Sequence, residues 1–261
     1  MQKLMTLFMA MAFTLTALGQ KRKSAILEPV IQRLIDNMVL VEGGTFLMGG
    51  TIAQGDEPAD YEFPIHEVTV SSFAIGKYEV TQEEWEVVMG KNPSHQLGAK
   101  NPIEQVSYRD CKQFIRKLNK LTGMKFRLPT EAEWEFAAKG GRLSKNYKYA
   151  GSNDIEEVAW IQGEKHTGTH PVGLKRPNEL GLYDMSGNVW EWCQDHWGYY
   201  LREVQKNPKG ASSGAFYVFR GGSWVNEPWY CRVSTRNGNL PSIRSVNLGF
   251  RLVLSNNKTK R

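Results

Sequence analysis

Three stretches of this 261-residue chain carry residue types spaced for chemistry. In "GLYDMSGNVWEWCQDHW" (181–197), Asp184 and Glu191 flank Gly187-Asn188. A tight turn at Gly187 would let both carboxylates and the intervening carbonyls converge on one point. Hard cations need that arrangement, Ca2+ taking about 6–8 oxygens. The same spacing suits a hairpin turn in which Asp184 bonds its own backbone and Glu191 pairs with a base. In "FRGGSWVNEPWYCRVSTRNG", Arg220 to Trp224 end a strand in a glycine turn, where backbone approaches a ligand or another segment closely. Ser223, Asn226, Cys231, Arg232 and Arg236 follow as a polar cluster. In "FRLPTEAEWEFAAKGG", Trp134 and Phe136 are expected in the core and Glu131, Glu133 and Glu135 on the surface, with Arg127 bridging to one of these acids. A nucleophilic triad is poorly supported, because the five histidines sit in no motif that places one beside Ser223 or Cys231. No C-x-x-C occurs.

The elements that position these residues are marked by local signals. Thr81 precedes Glu84, Ser107 precedes Asp110 and Thr130 precedes Glu133 at capping-box spacing. They predict helices over 82–90, 108–121 and 131–138, with Gly90, Gly123 and Gly140 as stops. Alternation in "MVLVEGGTFLMGG" and "HEVTVSSFAIGKYEVT" predicts strands. After Gly140 glycine, asparagine and aromatics dominate, and no long periodic segment is expected before Phe216–Arg220. Such a stretch needs something other than helix ladders to order it. "SAILEPVIQRLIDNM" spaces its apolar residues as a helix over 24–37.

With 41% hydrophobic and 23% charged residues the composition is that of a globular protein. The formal charge of +6 invites nucleic acid or membrane as a partner. The basic residues read as dispersed, however, with clusters only at 21–23 and 258–261, and no basic stripe interleaves with aromatics, which argues against nucleic acid. Lys3, the apolar run from Leu4 to Leu18, and Ala17-Leu18-Gly19 predict a signal peptide over 1–19 and an exported mature protein, periplasmic, cell-surface or secreted. No other segment approaches the roughly 20 apolar residues of a membrane span. The organisation expected is signal peptide 1–19, helical extension 20–37, one domain over 38–254 and a basic tail 255–261. Three cysteines, Cys111, Cys193 and Cys231, permit at most one disulfide. Buried small hydrophobes are the expectation for them.

Taken in order, "MVLVEGGTFLMGG", "YEVTQEEWEVVMG", "RLPTEAEWEFAAKGG", "GLYDMSGNVWEWCQDHW", "RGGSW" and "NLGFR" resemble the sulfatase-modifying factor family of formylglycine-generating-enzyme-like domains, over residues 38–253. The resemblance implies an α+β, C-type-lectin-like fold with little regular secondary structure. It implies a structural Ca2+ held by Asp184 and Glu191 side chains and by the carbonyls of Gly187 and Val189. Enzymes of the family oxidise a sulfatase cysteine to formylglycine with O2 and Cu(I) held by two thiolates, five residues apart after the "GGS" turn. Soft thiolates suit Cu(I). Here those two positions are Asn226 and Cys231. The chain is therefore expected to be a non-oxidase member that binds a ligand, glycan, or protein or peptide partner through Ser223, Trp224, Asn226, Arg232 and Arg236. The alternative is a formylglycine-generating oxidase with Cys231 as catalytic residue and copper as cofactor.

Overall fold

The computed structural model describes residues 29–51, 58–163 and 167–255. The expected signal peptide, the start of the helical extension and the basic tail beyond Ser255 lie outside these residues. The chain divides into two compact units, residues 1–36 and 37–261. In the first, residues 29–36 are helical (α1).

The second unit holds three small sheets and four helices among its described residues. Met38–Val41 (β1) and Phe73–Gly76 (β4) pair antiparallel, and Val253–Leu254 (β11) bridges β4 to Phe126–Arg127 (β5). Gly44–Met48 (β2) pairs with His66–Val70 (β3), which takes Gln205–Lys206 (β7) in parallel on its other edge. The third sheet has the order β10-β6-β8-β9, from Leu248–Gly249, Trp190–His196, Tyr217–Arg220 and Arg236–Asn239. The strands that sequence alternation suggests near the N-terminal end thus divide between two sheets.

Helices α2 (Gln82–Met89), α3 (Tyr108–Thr122) and α4 (Glu131–Ala138) start where the capping signals place them. Each has a reciprocal box, in which the Thr81, Ser107 or Thr130 side chain accepts an orphan amide and the acid three residues on accepts the cap amide. Gly90 and Gly123 end their helices in the left-handed region. A short helix, α5, spans Ile155–Val158.

Trp85 of α2 stacks on Phe114 of α3 at 5.3 Å, and Phe250 meets both rings edge-on. The main core lies under α4, where Trp134 and Phe136 pack with Phe73, Ile75, Val218 and Val253. The aromatic richness is spent largely on such contacts, which add about 0.5–1.5 kcal/mol per ring pair beyond area burial.

Two expectations are corrected here. The stretch after Gly140 contains the seven-residue strand β6, whose residues 190–193 are buried on both faces and so show no alternation. The basic residues are not all dispersed, since Arg109, Arg116, Lys117 and Lys120 lie exposed along α3, with Lys112 half-buried among them. Its aromatics turn away from that stripe: Phe114 is buried and Tyr108 stacks on Tyr217 at 3.8 Å.

Candidate functional site

The stretch around Gly187 does form a tight turn. Asp184, Gly187 and Asn188 all have positive φ, 56°, 81° and 57°. A Cβ on Gly187 would lie 2.4 Å from the Trp160 carbonyl oxygen, so only glycine fits. Asn188 fastens the turn to distant segments. Its amide donates to Trp160 O (2.9 Å), its side chain donates to Glu79 Oε2 (2.8 Å), and its Oδ1 accepts from the His170 amide (3.1 Å). The chain then leaves as β6 and pairs in parallel with β10, so the turn is not the tip of a two-residue hairpin.

The two carboxylates have different surroundings. Glu191 is held by Arg251 through two bonds of 2.6 Å and accepts a third, from the Trp134 indole, at 2.7 Å. Asp184 accepts from the Gly173 amide at 2.7 Å through Oδ2, while its Oδ1 is buried with no hydrogen-bond partner among the described residues. Glu79, which sequence reasoning did not select, is the third acid of the group and accepts from the Val189 amide at 3.2 Å. Burial, with Asp184 and Glu191 as negative neighbours, pushes the Glu79 carboxyl well above its usual range. Burial also raises Asp184, to about 6. Three carboxyls thus face one guanidinium in a dry interior. Among the described residues no group of three or more acids, histidines or cysteines is placed to hold a metal ion; Asp184 has one buried oxygen to spare, whereas both oxygens of Glu191 are engaged.

The expected cleft after Arg220 is not assembled as the sequence suggested. Ser223 is fully buried, its hydroxyl donating to Asn226 Oδ1 (2.5 Å) and accepting from Asn247 (2.9 Å). Arg232 is buried in a two-bond pair with Glu62 (2.6 and 3.0 Å) and lies 4.4 Å from the Trp229 ring. Arg236 is likewise buried and paired with Glu131 (2.6 and 2.7 Å). Both arginines hold the fold together rather than point into solvent at a ligand. The surface of the segment is made by Trp224, Asn226 and Trp229, half-buried, and by Val225 and Tyr230, exposed.

Cys231 is also sealed. A Cβ on Gly222 would touch its sulfur at 2.4 Å, so the glycine turn lies directly on the thiol. The amides of Ser223 and Gly187 point at the sulfur, yet burial outweighs them and pushes the thiol up to about 12. It is protonated at neutral pH. Cys111 on α3 and Cys193 on β6 are buried and free as well, each raised well above its usual value by burial.

Helix α4 corrects a further expectation. Glu131 and Glu135 are buried, and Glu135 meets Arg220 and Lys139 in the interior. Arg127 does bridge to one acid, Glu133, at 2.6 and 2.7 Å. Beside the start of α4 opens a cavity of about 290 Å3, lined by residues of β2, β3, α4, β6, β7 and β9 and by the loops over 198–201 and 208–212. Apart from Arg236, none of its lining residues belongs to the cluster the sequence singled out.

The description "Sulfatase-modifying factor enzyme 1-like domain" fits residues 23–256 by family-model comparison. Chaperone protein LppX of Paenibacillus barcinonensis is 35% identical to the chain, over 73% of this chain and 79% of that protein. The formylglycine-generating enzyme of Streptomyces coelicolor is 31% identical, over 82% of this chain and 87% of that enzyme. Among solved structures, Treponema denticola variable protein 1 matches with a TM-score of 0.74 and 32% identity, covering 83% of this chain and 94% of its own.

Proposed function

Since the chain belongs to the sulfatase-modifying factor family and has its α+β fold, we propose that it is an exported binding member of that family rather than a formylglycine-generating oxidase. The observation that carries this reading is the state of Cys231. Its thiol is fully buried, protonated and covered by the Gly222 turn. The position five residues earlier is Asn226, whose side-chain oxygen is taken up by Ser223. Cu(I) held by a pair of soft thiolates needs two deprotonated sulfurs at one point. These residues do not fit that group.

The contact surface proposed is the rim over 224–230, where Trp224, Val225, Trp229 and Tyr230 present aromatic and apolar area. Arg232 supports Trp229 from beneath through an Nε bond to its carbonyl at 3.0 Å. Aromatic residues are enriched at protein interfaces, so the partner class this rim suits is a protein or peptide. Incubating the purified protein with Cu(I), O2 and a sulfatase-type cysteine peptide should leave the peptide mass unchanged. Aldehyde formation that disappears in Cys231→Ser would restore the oxidase reading.

A structural Ca2+ is a second proposal, favoured by the spare buried oxygen of Asp184. Asp184, with the carbonyls of Gly187 and Val189, would hold the ion, while Glu191 neutralises Arg251 nearby. Calcium should raise the melting temperature and EDTA reverse the effect. Asp184→Asn should abolish the response, while Glu191→Gln should lower the melting temperature with or without calcium. A melting curve indifferent to both additions would remove the proposal.

A further inference from the structure

The cavity beside α4 is built from polar groups that are deeply buried yet not all used. Arg236 spends its guanidinium on Glu131 and on the carbonyls of Gly198 (2.7 Å) and Tyr61 (3.3 Å). The Tyr200 ring lies 4.0 Å beneath that guanidinium, and its hydroxyl donates to Glu131 at 3.2 Å. This ionic floor is closed on itself and carries no net charge.

Polar atoms on the same cavity are left without a partner among the described residues, among them the buried Nδ1 of His196. Asp195 is buried and accepts the Glu131 amide through Oδ2 at 2.9 Å, leaving Oδ1 over. Burial first, and the Glu131 charge second, push its carboxyl well above the usual range. His66 is also buried and packs against Tyr200 at 4.8 Å. Its Nδ1 faces the Pro64 carbonyl at 3.0 Å. A carbonyl only accepts, so Nδ1 holds the proton and Nε2 is left as an acceptor.

The cavity therefore offers Asp195 Oδ1, His66 Nε2 and His196 Nδ1 as polar atoms that the fold leaves unused. At its rim stands Tyr199, 74% exposed and edge-on to Trp197 at 5.4 Å, with Leu201 beside it in sequence, also exposed. Gly210 keeps the opposite loop close, since a Cβ there would strike Asp195 Cβ at 2.6 Å.

We propose that this cavity binds one unit of an uncharged saccharide, with its hydroxyls on Asp195 and His66 and a C–H face on Tyr199. Hydroxyl groups both donate and accept, so they can meet each of these atoms. An anion would have to compete with Glu131 for Arg236, and an ammonium would approach that guanidinium. The volume of about 290 Å3 lies at the lower end for ligand pockets and suits a single ring with the rest of a chain outside. The cavity shares no lining residue with the Cys231 turn, so the outcome is independent of the oxidase assay.

Calorimetric titration of the full chain with maltose, cellobiose and N,N′-diacetylchitobiose tests this, with galacturonic acid and glucosamine as charged probes. At least one neutral disaccharide should bind with a Kd of about 1 mM or tighter. Tyr199→Ala, an exposed position, should weaken that binding about two- to tenfold with an unchanged melting temperature. Asp195→Asn, which keeps a hydrogen-bonding side chain, should retain binding that Asp195→Ala loses. Absence of binding by all three neutral sugars, preference for either charged probe, or binding unaffected by Tyr199→Ala would overturn the proposal.

Discussion

Replacing Glu62 by glutamine changes one atom type and tests whether Arg232 belongs to the fold or to a ligand. In the structure Glu62 is fully buried and gives Arg232 its counter-charge through bonds of 2.6 and 3.0 Å. Arg232 completes its set on Ser234 Oγ (3.3 Å) and the Trp229 carbonyl (3.0 Å), neither of which carries charge. Glu62→Gln therefore leaves a guanidinium in a dry interior without an anion. Breaking such a pair costs about 3–5 kcal/mol. At about 2–4 °C per kcal/mol for a domain of this size, the melting temperature should fall by about 6–20 °C. Urea unfolding gives the free energy directly. The double variant Glu62→Leu/Arg232→Met should recover most of the loss, because two apolar residues replace the pair without stranding a charge. A Glu62→Gln protein within about 1 kcal/mol of the parent would show that the pair is not what holds Arg232. Arg232 would then be available to a ligand, as the sequence cluster suggested.

Three further outcomes follow from the same structure. Iodoacetamide should label none of the three cysteines before unfolding, as followed by intact mass, since all three are fully buried and the Cys231 thiol is raised to about 12. Thr130→Ala removes the α4 cap hydroxyl and should cost about 1 kcal/mol in urea unfolding. Burial raises the Glu84 carboxyl from 4.5 to about 7, so the folded state holds a proton that the unfolded state releases between these values. Its contribution is thus most favourable below about 4.5 and is lost as pH rises through about 7, by no more than about 3 kcal/mol. Glu84→Gln should flatten that part of the stability–pH curve, although the capping bond to the Thr81 amide is retained only in weaker form.

The three long helices of the second unit were legible because their signals are local. A hydroxyl and an acid three residues apart decide a helix start with no help from the rest of the chain. The turn at Gly187 was legible for a similar reason, since a glycine and an asparagine tolerate the backbone it needs. Strand β6 was not, because Glu191 in its second position looks like a surface residue until Arg251, 60 residues later, is placed against it. The same holds for Glu131 with Arg236 and for Glu62 with Arg232, separated by 105 and 170 positions. A buried carboxylate and an exposed one are the same letter, and burial becomes tolerable only once a partner is there.

A signal for these pairs nevertheless sits on the arginine side. Arg220, Arg232 and Arg251 lie in "YVFRGG", "WYCRVS" and "LGFRLV", each flanked by residues that belong inside. Arginine is almost never fully buried unless paired. Each such position therefore demands a buried acid elsewhere, and with Arg236 the four find Glu135, Glu62, Glu191 and Glu131. All four acids precede their arginines in the chain, so the last 42 residues, from 220 to 261, carry the cations that lock earlier segments in place. It follows that the polar cluster after the double glycine, which has the residue types of a binding cleft, is spent on architecture. Unused polar capacity is found elsewhere, in the spare oxygen of Asp184 and in Asp195, His66 and His196 on the cavity beside α4.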